Sequence, residues 1–188
     1  MTALWWVRHA PTHARTMVGW SDLPADLSDA GLLDRLSGFL PAKAPVVSST
    51  LLRAIVTADA IRGDRPLLPP DPDLREMSFG DWELRSHDEI AQEDPVGIRA
   101  FWDSPGDVRP PGGESWNDLR MRVDAAADRL MGLAPEIVVV AHFGPILTQI
   151  QRAGGLTTRQ AFAQRIDNLS VTRVDLGNGR AEPVNHIP

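Results

Sequence analysis

The sequence predicts an α/β fold built around a mainly parallel sheet, and three observations support this prediction. Apolar runs alternate along the chain with segments whose apolar residues recur at helical spacing. The run at residues 137–141 is apolar throughout, which is typical of a strand buried on both faces of a parallel sheet. Near the C-terminus, two strand-like segments flank Gly177-Asn178-Gly179, a hairpin signal. We therefore expect three layers, α/β/α, with an antiparallel strand at one edge.

Each element is predicted from its own local pattern. Strands are short apolar runs, and helices are amphipathic segments bounded by capping residues, glycine or proline. The predicted elements are, in order, a strand at 3–7, a helix at 32–40 behind a cap at Ser28, a strand at 46–47, a helix at 51–61 ending at Gly63, a helix at 115–133, a strand at 137–141, and hairpin arms at 169–176 and 180–186.

The chain has 188 residues, 43% of them hydrophobic, and so is long enough for one domain that buries its own core. Because no repeat or domain boundary is visible, residues 1–188 are predicted to form a single domain. Residues 74–113, rich in Trp, Pro, Asp and Gly, are interpreted as an insertion covering the active site. Trp82, Trp102 and Trp116 either stack on a substrate ring or pack this segment against the core, and packing is favoured.

Composition excludes several classes of protein. The absence of cysteine rules out disulfide frameworks, thiolate metal sites and catalytic thiols. A net charge of −6 and a pI near 5.3 argue against general affinity for nucleic acid. No stretch approaches the roughly 18 apolar residues of a membrane span, so we expect a cytoplasmic protein. Every basic residue except Lys43 is arginine, which suits bidentate oxyanion binding, although genome composition can give the same bias.

Cationic and imidazole side chains follow three of the predicted strands. Arg8 and His9 end the first strand, Arg53 follows the second by a few residues, and His142 follows the strand at 137–141. Because ligands of α/β sheets bind beyond the carboxyl ends of the strands, these side chains are expected to converge. Guanidinium groups can donate two parallel hydrogen bonds to phosphoryl oxygens, and the backbone N–H groups at helix N-termini can donate more, so this edge is predicted to bind a phosphoryl group. A neutral imidazole there can attack phosphorus, and the leaving alkoxide then needs a carboxylic acid as proton donor.

Five motifs in order carry a resemblance to a known family. They are Arg8-His9-Ala10-Pro11-Thr12; Ser48-Ser49 with Arg53-Ala54 and Thr57-Ala58; residues 74–83 (Leu-Arg-Glu-Met-Ser-Phe-Gly-Asp-Trp-Glu); Gly112-Gly113-Glu114-Ser115; and Val139-Val140-Ala141-His142. Together they resemble the histidine phosphatase superfamily, the phosphoglycerate-mutase-like group, over nearly the whole chain. The resemblance implies the phosphoglycerate-mutase-like fold.

The resemblance also implies a role for each matching residue. His9 is the nucleophile that becomes phosphorylated, Arg8 and Arg53 bind the phosphate, and His142 is the second histidine, which also contacts the substrate. Glu76 takes the place of the general acid. No metal and no cofactor are implied, because the arginines and His142 supply the positive charge that a metal ion supplies elsewhere.

The sequence departs from the usual family pattern at several positions. Ala10 stands where glycine is usual, and Phe143 is bulkier than the small residue that usually follows the second histidine. Arg15 stands where the family often has an asparagine phosphate ligand. We predict Arg15 as a substrate-binding candidate that either contacts phosphate or faces solvent.

The sequence thus predicts a metal-independent phosphomonoesterase that acts on a small phosphorylated metabolite through a phosphohistidine. Its pattern is most similar to that of α-ribazole-5′-phosphate phosphatases. The alternatives are a phosphoglycerate-mutase type of phosphoryl transfer, which the short chain disfavours, and a non-catalytic member that binds phospho-ligands or proteins. A metal hydrolase using His9 and His142 is disfavoured by the adjacent arginines. The expected partner is a small phosphate ester, with no nucleic acid or membrane, and the chain is a monomer or homodimer.

Overall fold

Five strands form one mixed sheet in the computed structural model, which describes residues 2–188. The strands are β1 (Ala3–Arg8), β2 (Val46–Ser48), β3 (Glu136–Ala141), β4 (Val171–Asp175) and β5 (Arg180–Ala181). Their order is β2-β3-β1-β4-β5; the first three are parallel, and β4 and β5 run antiparallel at one edge. The prediction of a parallel sheet with an antiparallel edge is confirmed.

Helices cover both faces of this sheet. They are α1 (Ala30–Phe39), α2 (Leu52–Ile61), α3 (His87–Glu93), α4 (Pro95–Asp103), α5 (Trp116–Leu130), α6 (Phe143–Gly154) and α7 (Thr158–Phe162), with short 3-10 helices at Pro72–Leu74 and Gly80–Trp82. Among residues 2–188, no helix is both long and apolar enough to cross a membrane.

Alternate side chains of the central strands belong to two separate hydrophobic clusters. Trp6 and Val139 belong to a cluster that includes the buried faces of α5 and α6. Val7 and Val140 belong to a second cluster that includes α1 and α2. Because successive strand residues point to opposite faces, the sheet is the middle of three layers. The carboxyl ends of β1, β2 and β3 therefore meet at one edge.

Two predicted helix boundaries were wrong. The cap of α1 is Asp29, not Ser28: the Asp29 side chain accepts a hydrogen bond from the Leu32 amide at 2.9 Å. The long helix α5 ends at Leu130 rather than at residue 133, because Met131 adopts an extended backbone and Gly132 has a φ of +90°. Its predicted start is confirmed by the Ser115 capping box.

Candidate active site

His9 lies at the end of β1 with its ring held in one tautomer. Its Nδ1 is 2.7 Å from the carbonyl oxygen of Ala10. Since a carbonyl oxygen only accepts, Nδ1 carries the proton and Nε2 keeps its lone pair. Burial lowers the pKa of His9 to about 3; the hydrogen bond to Ala10 opposes this shift, and the charges of Arg53 and Arg8 add to it. At neutral pH the ring is an uncharged imidazole with a free Nε2.

His142 lies next to His9 at the N-cap of α6, with 5.0 Å between the two ring centroids. Its Nε2 is 2.6 Å from the Ser49 hydroxyl oxygen, which also accepts a hydrogen bond from the Leu51 amide. Nδ1 is buried and has no hydrogen-bond partner among residues 2–188. Burial, followed by the positive charges around it, lowers the pKa of His142 well below its usual range. Both imidazoles are therefore neutral.

Backbone carbonyl groups, rather than carboxylates, hold the guanidiniums of Arg8 and Arg53. Arg8 donates to the Ile166 carbonyl oxygen at 2.6 Å. Arg53, only 1% exposed, donates to the carbonyl oxygens of Ser21 at 2.9 Å and Gly19 at 2.6 Å. Burial lowers the pKa of both groups, while nearby Glu76 raises it, and arginine stays charged at neutral pH. Within residues 2–188, neither positive charge is bonded to a carboxylate, which suits an anionic ligand.

Glu76 faces the same region from the segment before the second 3-10 helix. Its carboxyl group accepts hydrogen bonds from the amides of Met77 at 3.0 Å and Gly144 at 3.1 and 3.2 Å. Burial raises the pKa of Glu76, although these two amides and the charges of Arg53 and Arg8 oppose the shift. A carboxyl group with a raised pKa beside two arginines can give a proton to a leaving group and accept one later.

These side chains share one cavity of about 130 Å³. Its lining includes Arg8, His9, Arg53 and Glu76. His142 is packed against His9 and does not line the cavity. Arg15 is exposed and lies outside the lining, so its contact with phosphate stays a prediction.

Glu83 orders the loop that carries the carbonyl groups bound to Arg53. Its carboxylate accepts hydrogen bonds from the amides of Gly19, Trp20 and Ser21, from the Ser21 hydroxyl and from the Phe79 amide, at 2.6–3.2 Å. Burial alone would raise the pKa of Glu83, but these hydrogen bonds outweigh it and lower the pKa. Glu83 therefore positions Arg53 through the backbone of residues 19–21.

Comparisons with known proteins agree with this geometry. The family model described as histidine phosphatase superfamily (branch 1) matches residues 4–186. The chain belongs to the histidine phosphatase superfamily. It is 30% identical over 181 residues to an adenosylcobalamin/alpha-ribazole phosphatase of Escherichia coli, covering 92% of this chain and 89% of that protein. It is 39% identical over 122 residues to a glucosyl-3-phosphoglycerate phosphatase of Mycolicibacterium vanbaalenii, covering 62% of this chain and 50% of that protein.

The fold agrees as well. The crystal structure of the alpha-ribazole phosphatase from Shigella flexneri superposes with a TM-score of 0.85 at 27% identity, covering 98% of this chain and 96% of that one. The phosphoglycerate-mutase-like fold is thus confirmed. This member of the superfamily is a phosphoric monoester hydrolase, and phosphohistidine chemistry is general to the family.

Two departures from the usual superfamily pattern are accommodated by the structure. Ala10 is fully buried and does not have a positive φ, so the backbone does not require glycine there. Its amide donates to the Thr57 hydroxyl at 2.9 Å. The Phe143 ring lies 5.4 Å from the Arg8 guanidinium carbon, a cation–π contact beside the phosphoryl cavity.

Sequence reasoning assigned no role to three residues that organise this superfamily site. Ser49 holds His142, and Asn168 donates to the His9 carbonyl oxygen at 2.7 Å. Arg122 pairs with Glu114 and donates to the carbonyl oxygens of residues 73, 75 and 76, which fixes the backbone at Glu76. Strand-end reasoning could have found Ser49, which directly follows β2.

Proposed function

We propose that this hydrolase cleaves a small phosphate monoester by forming phospho-His9. Arg8, Arg53 and His142 bind the phosphoryl group, and Glu76 transfers the protons. One observation carries the proposal. The Ala10 carbonyl oxygen holds the proton on Nδ1 of a neutral His9, and the Nε2 lone pair lies near two guanidiniums that bond to no carboxylate in the described part of the chain.

Binding of the phosphoryl group comes first. Arg8 and Arg53 are already fixed by carbonyl groups, so they bind phosphoryl oxygens with little further ordering. We assign the buried His142 Nδ1–H as a third donor; because His142 lies behind the present cavity wall, beside His9, this contact requires the bound phosphoryl group to reach past that wall. The Ser49 hydroxyl oxygen accepts from the Leu51 amide, and within residues 2–188 its own hydrogen has no acceptor other than His142 Nε2. We therefore assign that hydrogen to Nε2 and the ring proton to Nδ1. A phosphoryl oxygen then satisfies a buried N–H that otherwise lacks a partner.

The first chemical step is attack of His9 Nε2 on phosphorus. The N–P bond forms while the bond between phosphorus and the ester oxygen breaks. Glu76, whose raised pKa favours the acid, gives its proton to the departing oxygen. The products of this step are the free alcohol, phospho-His9 and the Glu76 carboxylate.

The second step reverses these roles. Water attacks the phosphorus of phospho-His9, the Glu76 carboxylate takes the proton of the water, and the N–P bond breaks. Inorganic phosphate leaves, and His9 and Glu76 return to their starting protonation states. We take water as the acceptor because the relatives described above are phosphatases.

For the leaving group we propose the nucleoside-like alcohol of α-ribazole 5′-phosphate as the first candidate. Support comes from the Escherichia coli relative and the Shigella flexneri structure, both described as α-ribazole phosphatases. The glucosyl-3-phosphoglycerate phosphatase relative matches a smaller share of the chain. We also propose a cytoplasmic location and a monomer or homodimer, and the net charge of −6 argues against binding of nucleic acid.

Hydrolysis of p-nitrophenyl phosphate by the wild type and by His9→Ala, both with excess EDTA, tests the mechanism. We expect wild-type turnover to survive the chelator and His9→Ala to lose it. Wild-type protein denatured in alkali, which preserves the acid-labile N–P bond, should carry a phosphoryl group that is absent from His9→Ala.

Four other results would contradict this mechanism or point to a different function. Loss of wild-type activity in EDTA contradicts the metal-independent mechanism, and turnover retained without His9 contradicts the assigned nucleophile. Transfer of the phosphoryl group to an added alcohol in preference to water points to a mutase type of reaction. A wild type that binds phosphate esters without turnover points to a binding role.

A further inference from the structure

A second, apolar cavity adjoins the phosphoryl cavity at Glu76. It has a volume of about 70 Å³, and its walls are mainly aromatic, including Phe101, Trp102, Phe143 and Phe162. Glu76 lines both cavities. The proton donor for the leaving group therefore lies at the junction between the phosphoryl site and this aromatic space.

A larger space lies next to the apolar cavity, beside α4 and α7. Trp102 and Phe162 also line a larger cleft of about 380 Å³, which reaches Asp103 and Arg159. A volume of this size is typical of small-molecule sites. We call these two neighbouring spaces, which share the walls formed by Trp102 and Phe162, the aromatic groove. It runs from Glu76, past aromatic walls, to charged side chains at the surface.

Most of the groove wall is rigid. The Phe101 ring packs edge-on against Trp82, with 5.6 Å between centroids. Phe162 packs at 4.6 Å on Trp116, whose indole N–H donates to Gln151 at 2.9 Å. Trp102, in contrast, is 46% exposed although it is one of the largest apolar side chains of the chain. A half-exposed indole over a preformed apolar slot is a surface that a planar ring can cover.

We propose that the aromatic groove binds the leaving group of the substrate, and that this hydrolase prefers phosphate monoesters whose leaving group carries a planar aromatic ring. The inference rests on the proposed function, because the phosphoryl group must sit at His9 for the ester oxygen to face Glu76. The ring lies between Phe101 and Phe162 with Trp102 over it. Polar substituents beyond the ring reach Asp103 and Arg159, neither of which forms an ion pair within residues 2–188.

Binding of two non-hydrolysable phosphonates tests the groove without requiring turnover. In 2-(2-naphthyl)ethylphosphonate and n-pentylphosphonate, methylene replaces the ester oxygen, and the naphthyl compound adds a planar ring system together with its larger apolar surface. Isothermal titration calorimetry should show the naphthyl compound binding the wild type about tenfold more tightly. Trp102→Ala should remove most of that preference, and Trp102→Phe should keep part of it.

Val96→Ala is the matched control, because Val96 lies on the same helix, is 77% exposed and does not line the groove. It should keep the full naphthyl preference. Phe162→Leu is a second variant that removes the ring while keeping apolar volume, and it should weaken naphthyl binding more than pentyl binding. Thermal unfolding of each variant checks that the fold is retained.

The groove proposal is overturned if the wild type binds the two phosphonates within twofold, or if Trp102→Ala weakens both equally. The proposed function is tested separately, by hydrolysis of 2-naphthylmethyl phosphate and n-butyl phosphate. It fails if His9→Ala hydrolyses these esters as fast as the wild type does, or if neither protein hydrolyses them. If hydrolysis depends on His9 but the Trp102 variants bind both phosphonates as the wild type does, the mechanism is retained and only the groove proposal is rejected.

Discussion

Replacement of Glu83 by glutamine should damage the active site although Glu83 does not line the phosphoryl cavity. One carboxylate oxygen accepts from the Trp20 and Phe79 amides, and the other from the Gly19 and Ser21 amides and the Ser21 hydroxyl. A glutamine has one acceptor oxygen, so its amide nitrogen must face one of these sets. In the better orientation, two backbone N–H groups lose their acceptor.

The size of the effect follows from those two donors. An unsatisfied buried donor costs about 1–3 kcal/mol, and the half-buried position of Glu83 lets water replace part of the loss. We therefore expect a loss of about 2 kcal/mol, or a Tm lower by about 4–8 °C for a chain of this size. The loop at residues 19–21 should then hold Arg53 less firmly. Misplacement of such a group can lower kcat/KM by about tenfold to a hundredfold.

The assay combines thermal unfolding, kcat/KM for p-nitrophenyl phosphate and the inhibition constant of inorganic phosphate. Glu89→Gln is the matched control. Glu89 is an exposed carboxylate that accepts hydrogen bonds from the Ser86 amide and hydroxyl in the capping box of α3, and it does not bond to the loop that holds Arg53. It should lower Tm less than Glu83→Gln does and leave phosphate inhibition unchanged. A Glu83→Gln variant that loses stability but keeps wild-type phosphate inhibition and kcat/KM would refute the link from Glu83 to Arg53.

Three further predictions concern the proposed catalytic groups. Glu76→Gln should lower kcat/KM for n-butyl phosphate by about 10²-fold or more but spare kcat/KM for p-nitrophenyl phosphate, whose leaving group needs no proton; kcat should fall for both, because hydrolysis of phospho-His9 uses the same carboxylate, and equal losses in kcat/KM would remove Glu76 as the acid. Ser49→Ala should lower kcat/KM by about tenfold and weaken phosphate inhibition, because His142 loses its fixed tautomer, while Ser49→Thr should restore both. The His9 ring should stay neutral from pH 8 to pH 5, since its lowered pKa of about 3 puts protonation below that range; ¹⁵N NMR showing protonation near pH 6 would contradict the buried neutral nucleophile.

Strand-end reasoning brought Arg8, His9, Arg53 and His142 together because three parallel strands end at one edge of the sheet. It missed Asn168 for a physical reason. Asn168 precedes β4, which runs antiparallel to β1, so the beginning of β4 lies beside the end of β1. A search confined to residues after strands cannot find a residue before an antiparallel strand.

Arg122 shows a different limit of sequence reasoning. It occupies a position in the middle of α5, where an arginine on an amphipathic helix is ordinarily solvated. Only the tertiary structure brings the segment at residues 73–76 over it, so that its guanidinium meets three carbonyl oxygens and Glu114. No local pattern distinguishes such an arginine from an exposed one.

The way in which the arginines are held explains how an acidic protein can present a positive site. A carboxylate bound to Arg8 or Arg53 would neutralise the charge before substrate arrived, and substrate would have to displace it. Carbonyl groups fix the same guanidiniums by their dipoles and leave the net charge in place. The carboxylate that orders the loop, Glu83, bonds to backbone amides and a hydroxyl instead. Its negative charge therefore stabilises the loop without occupying the donors of Arg53, and those donors remain available to a phosphoryl group.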